Sequence, residues 1–260
     1  MSGRVHARRE CALGWMVFDH EERRNAITLE MWEAIPGVAR ELDEDANVRV
    51  VVLRGAGDTA FVSGADISEF ERTRMGAMAI EYERTNQRAF EAITAISKPV
   101  LAMVHGFCVG GGTALALCAD LRYAAADARF GVPAAKLGLG YAVRGIEKLV
   151  GVVGPAVALE IFFTGRQFDA REALERRLVN EVVEKSRLEA VVREQAESIA
   201  ANAPLTLRSV KTIVNQLGRA PDQRDPAGME ESIRACFDSV DYEEGVKAFL
   251  QKRKPEFRGR

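Results

Sequence analysis

Residues 100–119 constrain the fold of this chain more tightly than any other stretch. Val100, Leu101, Ala102, Met103 and Val104 read as a buried apolar strand, which breaks at Gly106. The triple glycine Gly110-Gly111-Gly112 follows, and the alanine- and leucine-rich residues 113–119 read as a buried helix. A strand feeding a helix through a glycine turn leaves unpaired backbone N–H groups at that turn. Such groups suit a negative charge, and the helix dipole adds to the effect. The same glycines also fit a plainer role, letting two backbones pack closely.

The flanking sequence repeats the alternation of strand and helix. Residues 13–18, 48–53, 121–125 and 178–183 read as strands, and the β-branched run 48–53 suits a strand buried on both faces. Thr28 is a plausible N-cap for a helix to about Leu42, with Pro36 placed to kink it. A long helix spans residues 77–96. Pro155 suits a first helical position, and Asp169 with Glu172 has capping-box spacing. From Leu188 the chain is helix after helix. The fold class is therefore α/β, with a core over residues 1–203 and a helical appendage over residues 204–260.

Composition removes several classes of function. In 260 residues, 36 basic and 38 acidic side chains leave a net charge of -2, spread evenly, so neither nucleic acid nor a membrane surface is an expected partner. No run is long enough to span a membrane, and residues 1–10 lack an apolar signal core. The four cysteines form no CxxC pair and read as core thiols, which fits a reducing cytoplasm; the three histidines show no metal-ligand spacing. The glycine turn is no nucleotide fingerprint either. Leu115 stands where GxGxxG needs its third glycine, and no Gly-Lys-Ser/Thr or GxSxG is present there.

A second glycine-bearing loop, Phe61-Val62-Ser63-Gly64-Ala65-Asp66-Ile67, also follows a buried strand. Together with Val109-Gly110-Gly111-Gly112 it resembles the crotonase (enoyl-CoA hydratase/isomerase) superfamily. The resemblance continues through Asn25-Ala26, Ser97-Lys98-Pro99, Asp120-Leu121, Phe130-Gly131, Leu178-Val179-Asn180 and residues 249–257, in order and over nearly the whole chain. It implies a crotonase-like spiral of ββα turns, a C-terminal helical region that packs homotrimers or dimers of trimers, and an acyl-CoA thioester as partner. Coenzyme A would enter as part of the substrate, with no separate cofactor and no metal. By motif position, the backbone N–H groups of Ala65 and Gly111 would hold the thioester oxygen as an enolate forms. Ala65, Asp66 and Ile67 would contact the adenine, with Ser63, Ala26, Gly110 and Pro133 nearby. Arg23 or Arg24 would meet phosphates, and Phe249 and Lys252 would reach in from a neighbouring subunit.

The chain departs from that pattern at two positions. Family hydratases carry glutamates where this sequence has Ala114 and Ala134, and no glutamate occurs between Glu91 and Glu147. Adding water needs a positioned acid and base, and alanine is neither. Tyr141 and the loop around it are similar to bacterial methylmalonyl-CoA decarboxylases, although those keep a glutamate and a histidine where this chain has Ala114 and Ala65. Decarboxylation of a short malonyl-type CoA ester needs no base to reach the enolate, so it is the expected reaction, with Tyr141 and Arg144 or Lys136 receiving the carboxylate. Two alternatives stand beside it. One is a hydratase or isomerase with its acid and base relocated to Glu69, Glu71, Glu230 or Glu231. The other is a catalytically silent acyl-CoA binder.

Overall fold

The computed structural model describes residues 3–260. Its large sheet runs in the order β1 (Arg4–Glu10), β2 (Leu13–Asp19), β3 (Val50–Gly55), β5 (Val100–Val104), β7 (Leu121–Ala125) and β10 (Glu181–Val183). A small sheet runs β4 (Ala60–Val62), β6 (Phe107–Val109), β8 (Arg129–Gly131) and β9 (Phe168–Asp169). Among the strand pairs of the described residues, β1–β2 and β8–β9 are antiparallel and the others parallel.

The helices are α1 (Leu29–Glu44), α2 (Phe70–Thr73), α3 (Ala77–Ala95), α4 (Gly111–Ala116), α5 (Val143–Val153), α6 (Pro155–Thr164), α7 (Ala170–Glu175) and α8 (Leu188–Ala200). The C-terminal region adds α9 (Pro204–Leu217), α10 (Pro226–Phe237) and α11 (Val240–Leu250). From β3 through α6 each turn gives one strand to the large sheet, the next to the small sheet, and then passes through helix; after that β9 joins the small sheet and, across α7, β10 joins the large one. This is the ββα spiral.

The inner strands of the large sheet are buried on both faces, as the run at 48–53 implies. Trp15, Val17, Val50 and Val52 meet Leu188, Val192, Ala196 and Ala200 of α8, whose four-residue spacing makes one helical stripe. Met16, Phe18, Val51 and Leu53 point the other way, into the larger core with Trp32, Ile35 and Phe61. Thr28 caps α1 by accepting from the Met31 N–H at 3.3 Å, and α1 runs through Pro36 as one helix.

Several expectations change in detail. The strand expected over 178–183 pairs only over Glu181–Val183, because Asn180 turns its side-chain oxygen to accept from the Arg122 N–H at 2.8 Å. The helix expected over 113–119 begins at Gly111 and ends at Ala116, too short for a strong macrodipole. Of the four thiols, Cys108 and Cys118 are buried, whereas Cys11 is exposed in a turn.

Lys211 on α9 ties the C-terminal helices to the core through Asp120, at 2.7 Å. Val210, Val214, Phe237, Val240, Phe249 and Leu250 stay exposed on that region. Among the described residues, no helix is long and apolar enough to cross a membrane.

Candidate active site

Because β4, β6 and β8 are parallel neighbours, the loops leaving their C-terminal ends emerge side by side. Those loops bring Ser63, Gly64 and Ala65, then Gly110 and Gly111, then Pro133 and Ala134 to one cavity of about 890 Å³. The spiral thus joins two motifs that are far apart in sequence.

The backbone at Ala65 is fixed by α1's leading residues. The Ile27 N–H donates to the Gly64 carbonyl at 2.8 Å, and the Asp66 N–H donates to the Ile27 carbonyl at 2.9 Å. Bonds flanking Ala65 in a parallel bridge turn its own N–H away from Ile27, to the side where Gly111 lies. The Ala65 nitrogen is 3.6 Å from the position a Cβ on Gly111 would take. The Gly111 N–H belongs to the first turn of α4, where no intrahelical acceptor exists. Among the described residues, neither N–H donates to a protein acceptor.

The three glycines have different reasons to be glycine. Gly110 has φ +54° with ψ -113°, a backbone conformation that side chains resist. A Cβ on Gly112 would lie 2.0 Å from the Val62 carbonyl oxygen, so here the close-packing role holds. A Cβ on Gly111 would meet only the Trp32 ring edge, at 3.1 Å, beside the free amide of Ala65.

Another wall comes from α3, where Glu83, Asn86, Gln87, Phe90 and Thr94 recur at helical spacing along the cavity. Phe90 meets Trp32 edge-on at 5.4 Å between ring centroids. The Trp32 indole N–H donates to the Tyr82 hydroxyl at 3.1 Å. Burial pushes the Tyr82 phenol up to about 12, against the opposing effect of that bond. Arg74 pairs with Glu83, and its guanidinium stacks over the rings of Phe70 and Tyr82 at 5.0 and 4.9 Å. Tyr141 packs edge-on to Phe162 at 4.9 Å and lines the same cavity. Burial pushes its phenol up, the Glu83 charge adds to this, and Arg74 opposes it.

The structure brings Ser63, Ala65, Ile67, Gly110, Gly111, Ala114, Pro133, Ala134, Tyr141 and Arg144 to the cavity wall. Other expected residues lie off it. Ala26 is buried, and its carbonyl bonds His20 Nδ1 at 2.9 Å. Asp66 turns its carboxylate to the Ser68 N–H and hydroxyl, at 3.0 and 2.7 Å. Burial raises the Asp66 carboxyl, but the two Ser68 bonds outweigh it and leave it below the usual range. Arg23 and Arg24 are exposed, with Arg24 over the Phe107 ring at 4.8 Å. Phe249 and Lys252 are exposed at the end of α11 and just beyond.

The relocated carboxylates expected at Glu69, Glu71, Glu230 and Glu231 do not line the cavity. Glu69 instead accepts from the Leu29 N–H at 2.8 Å, which holds the start of α1. Lys136 likewise faces away, packed beside Gly165. Sequence reasoning missed Glu83, Asn86 and Trp32. The three- and four-residue recurrence of polar side chains on α3 is the one signal that could have flagged the first two.

The enoyl-CoA hydratase/isomerase family model matches residues 8–260. The chain is 33% identical to the crotonyl-CoA hydratase of Syntrophomonas wolfei, over 96% of this chain and 95% of that protein. It is 31% identical to the (E)-benzylidenesuccinyl-CoA hydratase of Thauera aromatica, over 95% and 96% of the two. It superposes on the crystal structure of an enoyl-CoA hydratase/carnithine racemase from Magnetospirillum magneticum with a TM-score of 0.94. That pair shares 39% identity over 98% of this chain and 96% of the other. With the same spiral and a match along almost its full length, this chain belongs to the enoyl-CoA hydratase/isomerase family of the crotonase superfamily.

Proposed function

We propose that the chain acts on an acyl-CoA thioester as an enoyl-CoA hydratase or isomerase, holding the thioester oxygen between the N–H groups of Ala65 and Gly111. One observation carries the reading: two unpaired amides sit side by side on the wall of a mainly apolar cavity. Fixed donors of this kind stabilise a developing oxyanion by about 3 kcal/mol each. Electrons withdrawn onto that oxygen make the β-carbon electrophilic and the α-carbon acidic, which serves hydration and isomerisation alike.

Decarboxylation of a malonyl-type ester, the reaction expected from sequence, loses its support. Arg74, the guanidinium that lines the cavity with Tyr141, is already paired with Glu83 and so is not free for a departing carboxylate. Arg144 is exposed, and the two similar proteins from Syntrophomonas wolfei and Thauera aromatica are named hydratases.

The proposal extends to coenzyme A and to assembly. Ser63 donates to the Arg23 carbonyl at 3.3 Å, so Arg23 and Arg24 flank the Ser63 side of the cavity and suit phosphates there. The exposed apolar side chains of α9–α11, with Phe249 and Lys252 beside them, support a homotrimer or a pair of trimers; a cytoplasmic location is part of the same proposal. No cofactor is part of the proposal.

The test is mass spectrometry after incubation with crotonyl-CoA and, separately, with methylmalonyl-CoA. Gain of water by the first ester supports the reading. Loss of CO2 from the second would restore the decarboxylase, and binding of both without change would leave a silent binder.

A further inference from the structure

We infer that Glu83 is the acid–base residue of this site and that Asn86 holds the water it activates. The inference rests on the hydratase reading above and names the groups that reading lacks. Ala114 and Ala134 line the cavity and carry no proton, so a carboxylate must come from elsewhere. Among the described residues, three glutamates line the cavity: Glu83, Glu91 and Glu147. Glu91 is exposed and accepts from Gln87 at 2.7 Å, and Glu147 is exposed on α5. Glu83 is half-buried and is held by Arg74, whose side chain is only 10% exposed. It lines the same cavity wall as Tyr141 and Ala114.

Asn86 supplies a second, independent observation. It follows Glu83 by three residues on α3, so both side chains share one helix face, about 5–6 Å apart at Cβ. Asn86 is 7% exposed, and its Oδ1 is buried with no hydrogen-bond partner among the described residues. Buried amide oxygens are almost always satisfied, and Asn86 also lines the cavity, so a turn of its amide about χ2 would present Oδ1 to a donor that the cavity receives. A water donating one proton to Oδ1 so turned and the other to Glu83 would bridge the two side chains.

The step balances with one carboxylate. Glu83 takes a proton from the water as its oxygen bonds the enoyl β-carbon, and the C=C electron pair moves onto the thioester oxygen held by Ala65 and Gly111. The protonated Glu83 then delivers that proton to the α-carbon as the carbonyl re-forms. One water has been added and the carboxylate is restored.

The experiment compares wild type, Glu83→Gln, Glu83→Asp and Asn86→Ala by hydration of crotonyl-CoA and by α-proton exchange of butyryl-CoA in D2O. Melting temperature and butyryl-CoA affinity are followed alongside. Glu83→Gln is expected to lose at least 100-fold in both reactions with affinity within threefold, and Glu83→Asp to lose about 10-fold or more while folding normally. Asn86→Ala is expected to lose at least 10-fold in hydration but to keep exchange, since exchange needs no bound nucleophile. Exchange and hydration retained by folded Glu83→Gln would overturn the assignment of Glu83 and leave the hydratase reading intact. Wild type that binds butyryl-CoA and catalyses neither reaction would overturn both.

Discussion

The amide nitrogen of Ala65 lies 3.6 Å from the point where a Cβ on Gly111 would stand, so the two residues form one feature of the cavity wall. Gly111→Ala puts a methyl group beside that amide and against the Trp32 ring at 3.1 Å. Trp32 is buried and held by Tyr82 and Phe90, so its ring gives by only a few tenths of an ångström and some stability is lost, about 1–2 kcal/mol. On the proposed reading the thioester oxygen also loses room between its donors. About a 100-fold fall in kcat/KM for crotonyl-CoA is expected, larger than the lowered melting temperature accounts for. Steady-state kinetics beside thermal unfolding checks it.

Gly112 answers to a different constraint. Its Cβ would sit 2.0 Å from the Val62 carbonyl oxygen and 2.9 Å from its carbon, both of them backbone atoms in β4. Gly112→Ala is expected to cost more than about 3 kcal/mol or to prevent folding. Gly37 on α1 is the contrast, since a Cβ there meets nothing within 4 Å. Gly37→Ala is expected to stabilise by about 0.5–1 kcal/mol. Urea unfolding of the two variants reads both effects.

His105 should make stability pH-dependent. It is 4% exposed, and its Nε2 has no hydrogen-bond partner among the described residues. Burial lowers its imidazole from the ordinary 6.5 to about 4; Arg54 and Lys185 push the same way, while Asp127 and Asp58 oppose. The unfolded chain therefore takes up a proton near pH 6.5 that the folded chain refuses until about pH 4. Stability from this group is complete above pH 6.5 and is lost as pH falls toward 4, by about 3 kcal/mol in all. Urea midpoints at pH 7 and pH 5 should fall more steeply in wild type than in His105→Gln. Equal slopes would contradict this.

The parts of the fold legible in sequence are those whose signal is local. Val50, Val51, Val52 and Leu53 announce a doubly buried strand, and the motifs around Ala65 and Gly111 survive as contiguous residues. The small sheet was illegible because β4, β6, β8 and β9 have three residues or fewer, too short for any period to show. Asn25 illustrates a role that only tertiary structure reveals. Its side chain is 1% exposed, donates to Ala56 and Ala60 carbonyls at 2.9 and 2.7 Å, and so ties the loop before α1 to the start of β4. Glu83 and Asn86 escaped for the opposite reason. Within a long helix their polar spacing does not by itself distinguish a cavity face from a solvated one, and Tyr141 and the glycine turn join them only in the folded cavity.

The central claim is that two backbone amides polarise a thioester carbonyl. Infrared difference spectroscopy of crotonyl-CoA labelled with 13C at that carbonyl observes this bond itself. On binding to wild type, the labelled stretch is expected to move to lower frequency, and Ala65→Pro, which removes one donor, should recover part of the shift while still binding the ester. A bound carbonyl that absorbs where it does in free solution, or a shift unchanged in Ala65→Pro, would contradict the account.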